Sequence, residues 1–130
     1  MSCRSILIRT TPYLLIELAM FGSFACSDFG NEVEIGATAD GTVVSITNFT
    51  KEVVYYSVFG RQLAARINWA PCRSPECRQR ILPGQTLRVI NANIPMESGE
   101  NEVLVFWWKL TMVEDGECTY EPMHVIVVHL

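Results

Sequence analysis

The run Val103-Leu104-Val105-Phe106-Trp107-Trp108-Lys109-Leu110-Thr111-Met112-Val113, answered by Met123-His124-Val125-Ile126-Val127-Val128-His129-Leu130, decides the fold. β-Branched and aromatic side chains fill both segments, and Asp115-Gly116 lies between them as a turn signal. The expectation is an antiparallel hairpin. With Asp115 and Gly116 as the two central turn residues, Trp108 faces Met123, Phe106 faces Val125 and Leu104 faces Val127. Those six side chains and Leu110 share one apolar face, which is assigned to the core. The other face carries Val103, Val105 and Trp107 opposite Val128, Ile126 and His124. It is apolar as well, whereas a sheet with one wet side alternates apolar with polar. Something must cover it: the chain itself, another protein, or a small apolar ligand. The sharpest of these expectations is a partner-binding patch of Val103, Val105, Trp107, His124, Ile126 and Val128, anchored on the tryptophan.

Upstream, short β-prone runs are separated by turn residues. Strands are expected over 33–38 and 42–49, joined at Asp40-Gly41, and over 52–59 after a turn at Thr50-Lys51. Gly60 marks a bulge or bend, and 62–69 reads as a fourth strand. A loop over 70–80 is followed by Pro83-Gly84, placed for a type II turn, then a strand over 85–91 and a loop over 93–100. Seven short strands at this spacing make an all-β fold, a single antiparallel β-sandwich. Tyr55 and Tyr56 are adjacent on a strand and point to opposite faces. A tyrosine with Trp107 would either form a carbohydrate-stacking platform or simply pack, and spacing does not distinguish the two.

The pattern Asn68-Trp69-Ala70-Pro71-Cys72, then Cys77, Pro83-Gly84 and Phe106-Trp107-Trp108 resembles small uncharacterised bacterial exported proteins. Those look like immunoglobulin-like or fibronectin-like sandwiches. The resemblance covers roughly 41–130 and implies a fold but no activity. The Cys-Trp-Cys arrangement of immunoglobulin domains, with its inter-sheet bridge, is absent.

The N-terminus has the layout of a secretory signal. Arg4 and Arg9 lead, an apolar run over 13–25 follows, and Ser23 and Ala25 stand three and one places before Cys26. The expected division is a signal peptide or membrane anchor over 1–25 and a β-sandwich domain over 26–130. Cys26 is a lipidation candidate, although the position a lipobox gives to Leu holds Ser23. Residues 5–25 have spanning length, with Arg9 and Glu17 inside and Pro12 before the apolar run. The expected location is the periplasm or cell envelope after export, with membrane contact through the N-terminus or a lipid on Cys26.

The chain has 130 residues and a net charge of −4. Its first 25 residues carry a net +1, so the remaining 105 carry −5. That length supports one modest core. An acidic chain without a basic face is a poor fit to nucleic acid. Arg73, Arg78 and Arg80, near Arg66 and Arg88, form the one basic cluster, either a solvated loop or a contact for an anionic partner. Cys72 and Cys77 flank Arg73-Ser74-Pro75-Glu76 and are expected to pair in an oxidising compartment. So small a loop gives about 2 kcal/mol. With Cys26 lipidated, Cys118 is free and buried; with Cys26 unlipidated, Cys26–Cys118 is a second possible bridge.

Cys-x4-Cys is wider than a zinc knuckle, and His124 and His129 are an odd number of residues apart on one strand, so no metal is implied. There is no Gly-rich phosphate loop and no Gly-x-Ser-x-Gly elbow, so neither an enzyme nor a cofactor is implied. Glu114, Asp115 and Glu117 read as a solvated hairpin tip. Asn48-Phe49-Thr50 matches a glycosylation acceptor and reads as incidental. The expected function is a non-catalytic envelope protein-interaction module, an accessory structural subunit of a larger membrane-associated complex. The alternative is a secreted binding module for a small ligand or glycan.

Overall fold

A hairpin of β1 (Ile35–Asp40) and β2 (Val43–Asn48) opens the computed structural model, which describes residues 32–130. Gly41 turns it at φ 59°, and no described non-glycine residue has positive φ. A glycine at the first central position is what a II′ turn requires. There follow β3 (Val54–Gly60), a single helical turn α1 (Arg61–Ala64), β4 (Arg80–Ile81) and β5 (Thr86–Ile90). A 3-10 turn (Asn91–Asn93), β6 (Glu102–Trp108), β7 (Leu110–Met112), β8 (Cys118–Tyr120) and β9 (His124–His129) complete the chain.

Every strand pairing is antiparallel. One sheet has the order β1-β2-β5, a second β4-β3-β6-β9, and β7-β8 forms a small ribbon. Val44 and Ile46 of the three-stranded sheet share one apolar cluster with Val54, Val58, Val103, Val105, Trp107 and Val128 of the four-stranded sheet. The fold is therefore all-β and sandwich-like. The three-stranded sheet follows the half-wet rule: β2 buries Val44 and Ile46 and turns Val43, Ser45 and Thr47 outward. Thr47 and Thr86 pair across that outer face, Oγ1 to Oγ1 at 2.9 Å.

Asn48 fastens the crossing from β2 to β3. Its side chain is fully buried. Nδ2 donates to the carbonyls of Glu52 (2.7 Å) and Ile81 (3.0 Å), while Oδ1 accepts from the Thr50 amide (2.9 Å) and hydroxyl (2.7 Å). Both amide hydrogens of the apparent glycosylation acceptor are thus committed within the fold. Pro83-Gly84 forms the expected type II turn, with Gly84 at φ 74° and the Gln85 amide donating to Leu82 O at 3.0 Å.

The strand expected over 62–69 is not formed. Gln62-Leu63-Ala64 instead lie in α1, and 65–79 hold no strand. Gln, Leu, Ala and Arg favour a helical turn, and Ile67 is the lone β-branched residue of that stretch. Gly60 is the bend, and a Cβ there would meet the Glu100 carboxylate and Met96 Cγ, which would have to shift. The Glu100 carboxylate accepts from the amides of Gln62 and Glu97 (2.7 Å for the latter), so it caps α1 from across the fold. Burial pushes its carboxyl up, but amide bonds from Glu97, Gln62 and Leu63 and the charge of Arg66 outweigh this and leave its pKa below the ordinary value.

Candidate interaction surface

Along β6 and β9 the two apolar faces have different covers. Pairing runs Leu104 to Val127, Phe106 to Val125 and Trp107 to His124, as the hairpin arithmetic anticipates. The assignment of faces, however, is the reverse. Val103, Val105, Trp107 and Val128 are buried in the cluster shared between the two sheets, and Ile126 packs against it. His124, exposed at the rim, stacks on Trp107 with centroids 4.1 Å apart. The expected partner patch is therefore the inner face, and the chain's own three-stranded sheet is its cover. A β-branched face with one tryptophan fits the narrow space between sheets, whereas the bulkier Phe106-Trp108 face needs another cover.

The segment after α1 supplies it. Trp69 stands over that outer face, with ring centroids 5.3 Å from Phe59, 4.8 Å from Phe106 and 6.3 Å from Trp108. The Cys72–Cys77 disulfide is formed and pins the loop beyond it. Trp108 is buried, and its Nε1 donates to Cys72 O at 3.0 Å. Cys77 joins Tyr55 and Trp108 in a second apolar cluster. The bridge fixes a cover over the sheet.

The cover stops before β9. Val125 is 49 % exposed, Val127 47 % and Met123 38 %, and Leu104 and Phe106 beside them are half-buried. Met123, Val125 and Val127 make an uncovered apolar strip on the outer face, with half-buried Leu104 and Phe106 along its margin. All five side chains were expected to be core, because periodicity alone cannot rank two apolar faces.

Two clefts flank the disulfide loop. One of 210 Å³ is lined by Glu52, Tyr55, Pro75, Lys109, Met112 and Cys118. Its cation is already held: Lys109 Nζ lies 3.1 Å from Glu34 and 3.3 Å from Glu52. Burial pulls the Lys109 pKa down, but the two carboxylates more than offset this and leave it raised. Cys118 is half-buried there and has no disulfide partner among the described residues. Cys26, its proposed alternative partner and the lipidation candidate, lies outside the described residues, as does the whole 1–25 segment. The other cleft, 170 Å³, is lined by Tyr56, Ser57, Cys72, Arg78, Gln79 and Trp108.

Comparison with protein-family models, with curated proteins and with solved structures returns no match. Arg73 lies over the Tyr120 ring at 4.9 Å, and Arg80 Nη1 donates to Pro75 O at 3.3 Å. Arg73, Arg78 and Arg80 are exposed and have no carboxylate partner among the described residues, unlike Arg61 and Arg66, which pair with Glu102 and Glu97. His129, on the opposite face from His124, sits 3.3 Å from Glu102. Among the described residues no three His, Cys, Asp or Glu side chains gather as metal ligands.

Proposed function

We propose that this chain is a non-catalytic protein-interaction module of the cell envelope, carried on a single immunoglobulin-like sandwich and serving as an accessory subunit of a membrane-associated assembly. The observation that carries it is the uncovered strip of Met123, Val125 and Val127, flanked by half-buried Leu104 and Phe106. A chain that dedicates a disulfide-pinned loop to one part of this face leaves the neighbouring part apolar and open. Contiguous exposed apolar surface marks an interaction site. The surface-to-core contrast on β9 is between chemically similar side chains, so solubility alone does not account for valines at the open positions.

The disulfide supports an oxidising compartment, and with it export directed by residues 1–25. The same proposal takes the location to be the periplasm or envelope, with Cys26 as an anchoring point. Blue-native migration of a native extract tests the function. The wild-type chain runs with a large complex, and a Val125→Lys/Val127→Lys double variant runs free while keeping its near-ultraviolet circular dichroism. A folded double variant that stays in the complex removes the strip from the interface. A wild-type chain that runs alone removes the accessory-subunit role. Intact mass of the envelope form tests the location: a start at Cys26, with or without acyl chains, is expected.

A further inference from the structure

We infer that the cleft between β3 and the disulfide loop is a binding site for a carboxylate group, with Arg78 as its cation. It shares no residue with the β9 strip, so this inference goes beyond the interaction-module reading and does not depend on it. Three surface clefts are each lined by one cationic side chain. In the 210 Å³ cleft, Lys109 Nζ lies 3.1 Å from Glu34 and 3.3 Å from Glu52. In a cleft of 70 Å³, Arg61 Nη1 lies 2.8 Å from Glu102. In the 170 Å³ cleft the cation is Arg78, and no acidic side chain among the described residues lines it. Two clefts therefore hold their cation with a carboxylate from within the chain, and a carboxylate is the group the third lacks.

Uncharged donors stand beside the Arg78 guanidinium. Ser57, only 8 % exposed, donates through Oγ to Gln79 Oε1 at 3.5 Å, the outer limit of a hydrogen bond. A buried hydroxyl so weakly held lacks a full partner, and its hydrogen can rotate to a better acceptor. Gln79 Oε1 is turned to Ser57, which leaves the Nε2 hydrogens without a partner among the described residues. Guanidinium, amide and hydroxyl all donate, and a planar carboxylate accepts from all three. The other walls are Trp108, whose Nε1 is committed to Cys72 O, and the Cys72–Cys77 bridge. One cation beside apolar walls matches one negative charge on a hydrocarbon stem, which favours a carboxylate over a doubly charged phosphate.

The main chain that carries these donors is held in place. Cys77, buried and bridged, precedes Arg78, and its amide donates to Ser74 O at 3.1 Å. Gln79 O accepts from the Tyr56 amide at 3.2 Å, and the Arg80 amide donates to Arg78 O at 3.0 Å. Residues 77–80 are thus tied to β3 and to one another, so binding has mainly side-chain torsions left to order. A volume of 170 Å³ lies below the roughly 300 Å³ at which pockets take whole small molecules. It suits one carboxylate with a short stem, from a free acid or from an acidic side chain of a partner protein. With so few atoms in contact, dissociation in the millimolar range is expected.

Nitrogen–proton correlation spectra of the full-length oxidised chain are followed during titration with sodium acetate to about 50 mM, at neutral pH and constant ionic strength, a range that brackets millimolar dissociation. Saturable shifts of the Gln79 side-chain amide and the Arg78 Nε–H are expected. Arg78→Gln, at an exposed position, is expected to weaken binding about tenfold while the near-ultraviolet signal of Trp108 is kept. Should that variant misfold, Gln79→Ala decides, with a smaller loss in the same direction. Arg73→Gln, on the same loop but outside the cleft, is expected to change binding less than about twofold. A capped pentapeptide with one central glutamate separates the sources. Binding at least tenfold tighter than acetate assigns the site to an acidic protein segment, binding no tighter assigns it to a free acid, and both uphold it. No saturable shift overturns the proposal. Equal weakening by Arg73→Gln and Arg78→Gln also overturns it, because the attraction would then belong to the loop's charge at large.

Discussion

Replacing Asn48 by alanine removes four hydrogen bonds at one stroke, two to the main-chain carbonyls of Glu52 and Ile81 and two from Thr50. A net contribution of about 1 kcal/mol per bond gives about 4 kcal/mol. Thr50 and Glu52 lie near solvent and water can re-satisfy their groups, whereas the bond to Ile81 O is buried. The expected loss is therefore about 3 kcal/mol, a large share of the 5–15 kcal/mol available to a domain of this kind. Asn48→Asp should lose more at neutral pH. It exchanges two donors for a carboxylate oxygen facing two carbonyls, and part of the loss should return in mild acid as the carboxyl regains one donor. Urea unfolding of the oxidised chain, followed by tryptophan fluorescence, measures both. A loss below about 1 kcal/mol for Asn48→Ala would show that the crossing between sheets does not depend on this side chain. An aspartate variant as stable as wild type would show that Nδ2 is not the donor the geometry assigns.

Three further outcomes are expected. Val105→Asp should prevent folding by burying an unpaired charge between the sheets, whereas Val125→Asp should leave the unfolding midpoint within about 0.5 kcal/mol of wild type; equal effects would undo the assignment of faces. Glu100 has a depressed folded pKa, so its contribution is fully present above its ordinary value of 4.5 and is lost as pH falls through the lower folded value. Glu100→Gln should flatten that acid limb of a stability-against-pH curve, and an unchanged limb would remove the carboxylate as the cap of α1. Replacing Cys72 and Cys77 together by alanine should reduce stability by about 2 kcal/mol and red-shift tryptophan emission as Trp69 loosens. Loss of stability without the emission change would mean that the bridge does not hold the cover in place.

Turn chemistry was the most legible part of the chain, because it needs only local residues. Pro83-Gly84 sets φ at one position and permits a positive φ at the next, and the type II turn is there. Cys72 and Cys77 bracket a loop too short to do much else, and they pair. The stretch 62–69 failed for a reason also visible locally. Its Gln-Leu-Ala-Ala-Arg composition favours a helical turn, and its hydrophobic residues fit either period. What no local signal carries is the cap on α1, since Glu100 reaches it from 38 residues away in sequence.

The last hairpin shows how a correct register can come from an incorrect turn. Val113 donates to Glu117 O at 2.8 Å, so the loop is Glu114-Asp115-Gly116, three residues with Gly116 at φ 76°, not the two-residue turn read from Asp115-Gly116. That shifts every pair in β7 and β8 by one, and Leu110 meets Tyr120. Between the Leu110–Tyr120 and Trp107–His124 pairs, one strand runs through two residues and the other through Glu121, Pro122 and Met123. Pro122 lies in this bulge, a place where a missing amide does no harm. The extra residue restores the register, so β6 and β9 pair as if the turn were tighter. Because a one-residue slip would exchange the faces of β9, the bulge is what sends Val128 to the core and Val125 and Val127 outward. Register alone could not say which face was inner. That was set by two distant choices: the β2–β3 crossing brings Val44 and Ile46 over Val103 and Val105, and the disulfide loop takes the aromatic face as far as Phe106. The strip on β9 is what neither cover reaches, so the candidate surface is a product of tertiary coverage acting on a strand whose two faces are, residue for residue, nearly alike.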